Sequence, residues 1–95
     1  MNTPSVQHFP DEQRYEFRDG EARATLTYQR EGDRIIYDHT FVPMEFRGQG
    51  VAAKLVKAAL TEARLENLIV VPQCSYVATY IARHNEHQDL LAERP

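Results

Sequence analysis

The sequence predicts a mixed α/β domain in which an antiparallel meander precedes a loop, a helix, a buried strand and a second helix. Two changes of pattern support this order, β-β-β-α-β-α. Apolar residues alternate with polar ones as far as Val42, and after Gly50 they recur at helical spacing. A continuous apolar run then reaches Val71, which is typical of a strand buried on both faces beside a parallel neighbour.

The first half of the chain predicts three strands joined by short turns. Polar and apolar residues alternate on both sides of Asp19-Gly20, a strong two-residue hairpin signal. Glu31-Gly32-Asp33 marks the second turn. We therefore expect strands over residues 13–18, 22–28 and 35–42, paired antiparallel because the loops between them are short.

The second half of the chain predicts two helices around one strand. Apolar residues at 51, 55, 59, 60 and 63 share one helical face, and this helix is expected to end near Glu66-Asn67. The strand over Leu68–Val71 is stopped by Pro72. A second helix follows over about residues 75–84, and we expect the later Leu90-Leu91 pair to dock back on the sheet.

Length and composition are those of one small domain. The 95 residues are 42% hydrophobic and 26% charged, as in ordinary globular proteins. Near the start of the chain, the hydrophobic periodicity is broken by prolines at 4 and 10 and by the acidic pair Asp11-Glu12. We therefore expect a flexible arm over residues 1–12 and a single compact domain over residues 13–95.

Charge and cysteine content exclude several classes of function. A formal net charge of −3 argues against a nucleic-acid binder and against binding to anionic membranes. One cysteine allows neither an internal disulfide nor a Cys-x-x-Cys metal knuckle, and it suits a reducing compartment. No apolar run approaches about 18 residues, and no signal-peptide pattern opens the chain. These features predict a cytoplasmic protein, which at this size we expect to be a monomer.

The loop between the third strand and the first helix carries the strongest functional signal. Gly48, Gly50 and Ala52 keep side chains away from the first helical turn, whose N–H groups lack intrahelical partners. Such a helix start suits a pyrophosphate. The loop is neither a Walker loop nor a dinucleotide fingerprint, since the lysine and the third glycine are missing. Taken alone, the glycines are equally consistent with a simple strand-to-helix turn.

Several motifs together carry a family resemblance. Arg47-Gly48-Gln49-Gly50-Val51-Ala52 resembles the Arg/Gln-x-x-Gly-x-Gly/Ala motif with which GCN5-related N-acetyltransferases (GNAT proteins) hold the pyrophosphate of coenzyme A. Three further strings are similar to motifs of a compact GNAT subfamily. They are His39-Thr40-Phe41-Val42-Pro43, Pro72-Gln73-Cys74-Ser75-Tyr76 and Tyr80-Ile81-Ala82-Arg83-His84. The resemblance covers about residues 13–91.

The resemblance implies a GNAT-like mixed sheet and an acyl-CoA-dependent N-acetyltransferase. Acetyl-CoA would be the co-substrate, no metal would be needed, and the acceptor would be a small or flexible amine. Main chain near the end of the third strand would bind the pantetheine amides, and the loop and first helical turn would hold the pyrophosphate. The implied acetyl-CoA-binding residues are Phe41, Val42, Arg47, Gly48, Gln49, Gly50, Val51, Ala52, Ala53 and Lys54.

Three side chains are candidates for catalysis. Cys74 follows a strand and begins a helix, where the dipole favours a thiolate that can accept the acetyl group; the alternative is an inert, buried cysteine. Tyr80 resembles the helix tyrosine that serves as general acid in many members of the family. It is equally consistent with a core tyrosine on the same apolar helix face as Val77 and Ile81. His39 can act as a base, although strand histidines are more often simply solvated or hydrogen-bonded.

A non-catalytic reading stays open beside the enzymatic one. Larger members of the family carry a strand and two helices ahead of the segment that begins here at Gln13, and those helices shape the acceptor site. Without them, the chain is also consistent with an acetyl-CoA-binding sensor or interaction module. A zinc site built from Cys74, His84 and His87 is disfavoured because a fourth ligand is missing.

Overall fold

A computed structural model describes residues 5–91 as a five-stranded sheet with two helices. Short 3-10 turns lie at Pro10–Glu12, Met44–Phe46 and Asn85–Leu90. The strands and helices are β1 (Val6–Phe9), β2 (Arg14–Asp19), β3 (Ala22–Glu31), β4 (Arg34–Phe41), α1 (Val51–Leu65), β5 (Ile69–Pro72) and α2 (Ser75–Arg83). None of the helices within this part of the chain is long and apolar enough to cross a membrane.

The sheet confirms the predicted mixed α/β class. Its strands lie in chain order, with antiparallel pairs from β1 to β4 and a parallel pair between β4 and β5. A parallel pair requires a crossover, and α1 provides it. The predicted docking of Leu90-Leu91 is also confirmed, since Leu90 is buried and Leu91 bridges to Val70 of β5.

The structure corrects the predicted arm over residues 1–12. Val6–Phe9 forms β1, the edge strand, and pairs with β2 from Arg14 to Phe17. The chain reverses through the 3-10 turn at Pro10–Glu12, and Gln13 closes it in the left-handed conformation with φ 52°. Pro10, Asp11 and Glu12 form a turn between two strands instead of a break before the domain. Residues 1–4 lie outside the described part of the chain.

One layer of core lies between the sheet and α1. Tyr37 of β4 is fully buried, and its hydroxyl donates a hydrogen bond of 2.8 Å to the carbonyl oxygen of Ala59 in α1. This bond ties the crossover helix to the middle of the sheet. Other members of this core are Tyr15, Phe17, Ala24, Leu26, Tyr28, Ile35, Val51, Leu55, Val56, Leu60, Ala63, Val70, Val77 and Ile81.

We expect Tyr37→Phe to lower the free energy of unfolding by about 1 kcal/mol, because it leaves a buried carbonyl without one hydrogen bond. For a domain of this size that corresponds to a fall in Tm of roughly 4–8 °C, measured by circular dichroism. Tyr76→Phe is the matched control, since Tyr76 is partly exposed on α2. Equal Tm values for the two variants would contradict the structural role of the bond.

A β-bulge interrupts the pairing of β3 and β4. Tyr28 pairs with Tyr37, but its neighbour Thr27 pairs with His39, so Asp38 is an extra residue in β4. The Thr27 hydroxyl donates a hydrogen bond of 2.6 Å to Asp38 and holds it on the side of the sheet that faces away from α1. Beyond the bulge, Thr40 lies opposite the fully buried Leu26 and therefore on the α1 side.

Candidate functional site

The candidate site lies at the edge of the sheet where β4 ends. The pairing of β4 with β5 stops at Tyr37 and Pro72, whereas β4 continues to Phe41. The Cys74 N–H donates one more hydrogen bond of 2.8 Å to the Tyr37 carbonyl before α2 begins. Beyond that point, the side of the β4 main chain that faces β5 in the paired region is open. Ligands bind in α/β sheets at such crevices beyond the strand ends.

The loop that leads from β4 into α1 is anchored by one buried ring. Phe46 is buried and meets Phe17 of β2 edge to face, with ring centroids 5.2 Å apart. Gln49 closes the loop: its N–H donates to the Phe46 carbonyl, and its side-chain amide donates to the Glu45 carbonyl. The predicted ligand-binding residue Gln49 therefore shapes the loop with its side chain.

Two left-handed glycines open the start of α1. Gly48 has φ 80° and Gly50, the N-cap residue, has φ 69°. A Cβ atom built at either position would meet no protein atom within 4 Å, so the space beside the backbone is open. The first helical hydrogen bond runs from the Lys54 N–H to the Gly50 carbonyl. The N–H groups of residues 51–53 thus remain without intrahelical partners at the start of the helix.

Cationic and apolar side chains lie around this helix start, and the exposed Glu45 belongs to the same loop. Arg47 is exposed directly before Gly48. Lys54 is also exposed, and its ammonium group lies 5.4 Å from the centroid of the Phe17 ring. Phe41 and Met44 are 52% and 75% exposed, which is unusual for such large apolar side chains. The loop can therefore offer both positive charge and apolar surface to one ligand.

Cys74 lies against the end of β4, as the N-cap residue of α2. Its sulfur is 3.3 Å from the hydroxyl of Thr40. Burial raises the pKa of the Cys74 thiol, but the Thr40 hydroxyl lowers it, and the result lies below the ordinary value. The structure shows no helix-capping hydrogen bond to the sulfur, yet the N–H groups of Tyr76 and Val77 also lower this pKa. Cys74 is therefore a thiol that ionises more readily than usual.

Tyr80 lies on the other side of α2, facing the start of α1. It lines a cavity of about 240 Å³ together with Ala53, Tyr76, Thr79, Arg83 and His84. The His84 ring stacks on Tyr80 with 4.0 Å between centroids and fixes its orientation. Burial, followed by the charges of Glu86 and Tyr76, raises the pKa of Tyr80. The phenol therefore keeps its proton at neutral pH, and it lies beside the predicted ligand-binding residue Ala53.

The bulge separates His39 from the other two candidates. His39 is exposed and pairs with Thr27, on the side of the sheet away from α1. Within residues 5–91, no hydrogen bond or ring contact joins it to Cys74 or Tyr80. Thr40, which the sequence analysis did not propose, takes the position beside Cys74 instead. The only signal in the sequence was that Thr40 follows His39 in the same motif.

No metal centre was found in the described part of the chain: no three His, Cys, Asp or Glu side chains lie close enough to hold an ion.

We expect Thr40→Val to raise the pKa of Cys74, because it removes the hydroxyl that stabilises the thiolate. The rate of alkylation by iodoacetamide, followed by mass spectrometry across a pH series, should rise at a higher pH than in the wild type. Thr40→Ser keeps the hydroxyl and is the control. If Thr40→Val and Thr40→Ser gave the same pH profile, the hydroxyl would have no influence on the thiol.

Comparisons with known proteins find similar sequences and a similar fold. Protein NATD1 from human, mouse and chicken is 42% identical over 60 residues, which is 62% of this chain. The chain spans about half the length of these curated relatives, 54% for chicken and mouse and 53% for human. A GCN5-like protein from Staphylococcus aureus, solved by NMR, superposes with a TM-score of 0.79 at 31% identity, covering 100% of this chain and 94% of that one.

The family comparison covers most of the fold. The model of the GCN5-related N-acetyl-transferase family matches residues 14–90, which include the sheet from β2 onward, the glycine loop and Cys74. The chain therefore belongs to the GCN5-related N-acetyltransferase family.

Proposed function

We propose that the protein binds acetyl-CoA and transfers its acetyl group to an amine. The observation that carries this proposal is the start of α1, where the N–H groups of residues 51–53 lack intrahelical partners and the space beside the left-handed Gly48 and Gly50 is open. Those N–H groups, with the positive end of the helix dipole, suit a pyrophosphate. Arg47 and Lys54 add positive charge at the same place.

The open end of β4 supports the position of the pantetheine arm. The main chain at Phe41 and Val42 lies beyond the last pair with β5, so the polar groups that do not face β3 can bind amides. An arm that ran from the glycine loop along β4 would bring the thioester towards Cys74 and Thr40. The cavity beside Ala53 and Tyr80 lies on the α2 side of this path.

Cys74 and Tyr80 then have separate tasks. The Cys74 thiolate attacks the thioester carbonyl, forming a new thioester on the protein as the bond between the acetyl group and coenzyme A breaks. Tyr80, which is protonated at neutral pH, supplies the proton for the departing thiolate. An amine then attacks the acetylated Cys74 and takes the acetyl group as an amide, which restores the Cys74 thiolate, and the proton that the amine loses returns through solvent to the Tyr80 phenolate.

The link between β1 and β2 supports a small or flexible acceptor. Larger family members carry two helices after their first strand, and these shape the acceptor site. Here the 3-10 turn at Pro10–Glu12 is all that joins β1 to β2. The acceptor side is therefore more open, and we expect few contacts with a large, rigid acceptor. We also expect a cytoplasmic monomer without nucleic-acid partners.

The same short link favours a second candidate function, that of an acetyl-CoA-binding sensor or interaction module that catalyses no acetyl transfer. Such a protein would use the glycine loop as described and would need neither Cys74 nor Tyr80 for chemistry. The lowered pKa of the Cys74 thiol favours the enzyme, because a binding module has no need of a thiol that ionises more readily than usual.

Calorimetry with acetyl-CoA and mass spectrometry of the intact protein test these proposals together. If the protein is a transferase, we expect it to bind acetyl-CoA and to gain one acetyl group on Cys74, which disappears when primary amines are added. Binding without an adduct, and without product from a panel of amines, would identify the module instead. Absence of binding by a folded protein, checked by circular dichroism, would overturn both.

A further inference from the structure

A second cavity, of about 390 Å³, lies at the opposite end of the sheet from the glycine loop. Its walls are β1, β2, β3 and the second half of α1, and they include His8, Tyr15, Tyr28 and Glu62. A volume of this size is within the range of small-molecule sites. Glu62 lies three turns further along α1 than Val51, about 16 Å at the rise of an α-helix, so the two sites are separate.

The hydroxyl of Tyr15 is the first sign of a ligand. Tyr15 is only 3% exposed, yet its hydroxyl makes no hydrogen bond among residues 5–91. The only fully enclosed, unpartnered polar side-chain atom in that range belongs to His87, so the Tyr15 hydroxyl must reach the cavity that this ring lines. The Tyr15 side chain is therefore buried except at this hydroxyl, which is available to a ligand in the cavity.

The second sign is the negative charge around that hydroxyl. Glu62 faces the cavity and forms no ion pair or side-chain hydrogen bond in the described part of the chain. Burial raises the pKa of Tyr15, and the charges of Tyr28, Glu62 and Glu66 raise it further. Asp11 adds a third carboxylate at the rim.

Among residues 5–91, the one guanidinium that lines the cavity is already engaged. Arg30 donates to the Gly32 carbonyl at 2.9 Å, and it lies 3.4 Å from a carboxylate oxygen of Glu66. Arg30 and Glu66 therefore largely offset each other, and the charge of Glu62 remains. An anionic ligand would meet this carboxylate without compensation, whereas a cation would be attracted to it.

Aromatic rings complete the lining. His8 stacks on Tyr15 with 4.1 Å between centroids, and its Nε2 atom is 2.6 Å from the Tyr28 hydroxyl. The Tyr15 and Tyr28 rings are tilted at 47° to each other, 5.8 Å apart. Hydrogen bonding and stacking hold these rings in place. Aromatic rings attract organic cations and also pack against aliphatic chains.

We propose that this cavity binds a small aliphatic amine in its cationic form, with the ammonium group held by the Glu62 carboxylate and the Tyr15 hydroxyl. The ammonium donates to both oxygens, and the aliphatic chain packs against the aromatic rings. This is a binding site distinct from the acetyl-CoA site, and it does not depend on acetyl transfer.

Putrescine, followed by NMR titration of the ¹⁵N-labelled protein at neutral pH, is the probe. We expect saturable shifts at residues 8–15 and 28–30, and none with butanediol, its uncharged counterpart. Glu62→Gln should weaken putrescine binding about tenfold or more, because it removes a charge-assisted hydrogen bond. Tyr15→Phe, which deletes only the hydroxyl, should weaken it by a smaller factor.

Glu21→Gln is the matched control, since it removes one exposed carboxylate in the turn between β2 and β3, outside the cavity. The proposal is overturned if putrescine causes no saturable shifts, if butanediol binds equally well, or if Glu62→Gln and Glu21→Gln bind putrescine alike. Calorimetry with acetyl-CoA on Glu62→Gln separates the two sites, because its affinity for acetyl-CoA should equal that of the wild type.

Discussion

Gly50→Asp is expected to lower the affinity for acetyl-CoA about 100-fold while the fold stays intact. Gly50 lies in the left-handed region at φ 69°, which aspartate and asparagine tolerate better than other side chains. A carboxylate at a helix N-terminus also complements the dipole, so stability should not suffer. The same carboxylate would lie beside the bound pyrophosphate, and repulsion between such charges at contact distance amounts to a few kcal/mol, roughly. Calorimetry measures the loss.

Gly50→Asn separates charge from shape. Asparagine has nearly the same size as aspartate but carries no charge, so we expect a much smaller loss of affinity. Gly32→Asp places the same side chain on another left-handed glycine, at φ 62° in the turn between β3 and β4, and should bind acetyl-CoA normally. If Gly50→Asp and Gly50→Asn bound equally, the pyrophosphate would not lie at the start of α1.

Cys74→Ala is expected to abolish the acetylated protein and to lower kcat/KM roughly 100-fold or more, because it removes the proposed nucleophile. Affinity for acetyl-CoA should change little, since the proposed pyrophosphate contacts lie on the loop and α1. Intact-mass analysis, steady-state kinetics with an amine and calorimetry give the three readouts.

Cys74→Ser provides the comparison for Cys74→Ala, since it keeps a hydroxyl of similar size but far lower acidity. We expect it to be as inactive as the alanine variant. Turnover near the wild-type value in either variant would show that the amine attacks the bound thioester directly, and Cys74 would then be a packing residue beside Thr40.

Much of the fold could be predicted because its local signals agree with the final packing. The Asp19-Gly20 turn, the switch of period after Gly50 and the stop at Pro72 all lie where the structure changes direction. β1 was missed because a strand of four residues at the edge of a sheet carries too short a pattern to recognise. Its pairing depends on β2, which local sequence does not reveal.

The candidate site was predictable where it depends on glycine and uncertain where it depends on register. Few residue types other than glycine adopt the left-handed conformation at a helix start, and both glycines of the loop adopt it. Simple alternation from the buried Tyr37 would have turned His39 towards α1. The extra residue Asp38 reverses this, and nothing in the residue types at these positions announces a bulge.

The bulge also means that strand register, and not residue order, selects the side chain that faces Cys74. With Asp38 accommodated as an extra residue, the partner of the thiol is the short, neutral hydroxyl of Thr40. The same sequence in regular pairing would present the imidazole of His39 there, and the thiol would face a titratable base. A relative could therefore exchange a hydroxyl for an imidazole beside the thiol by losing the bulge, with the residue types at positions 39, 40 and 74 unchanged.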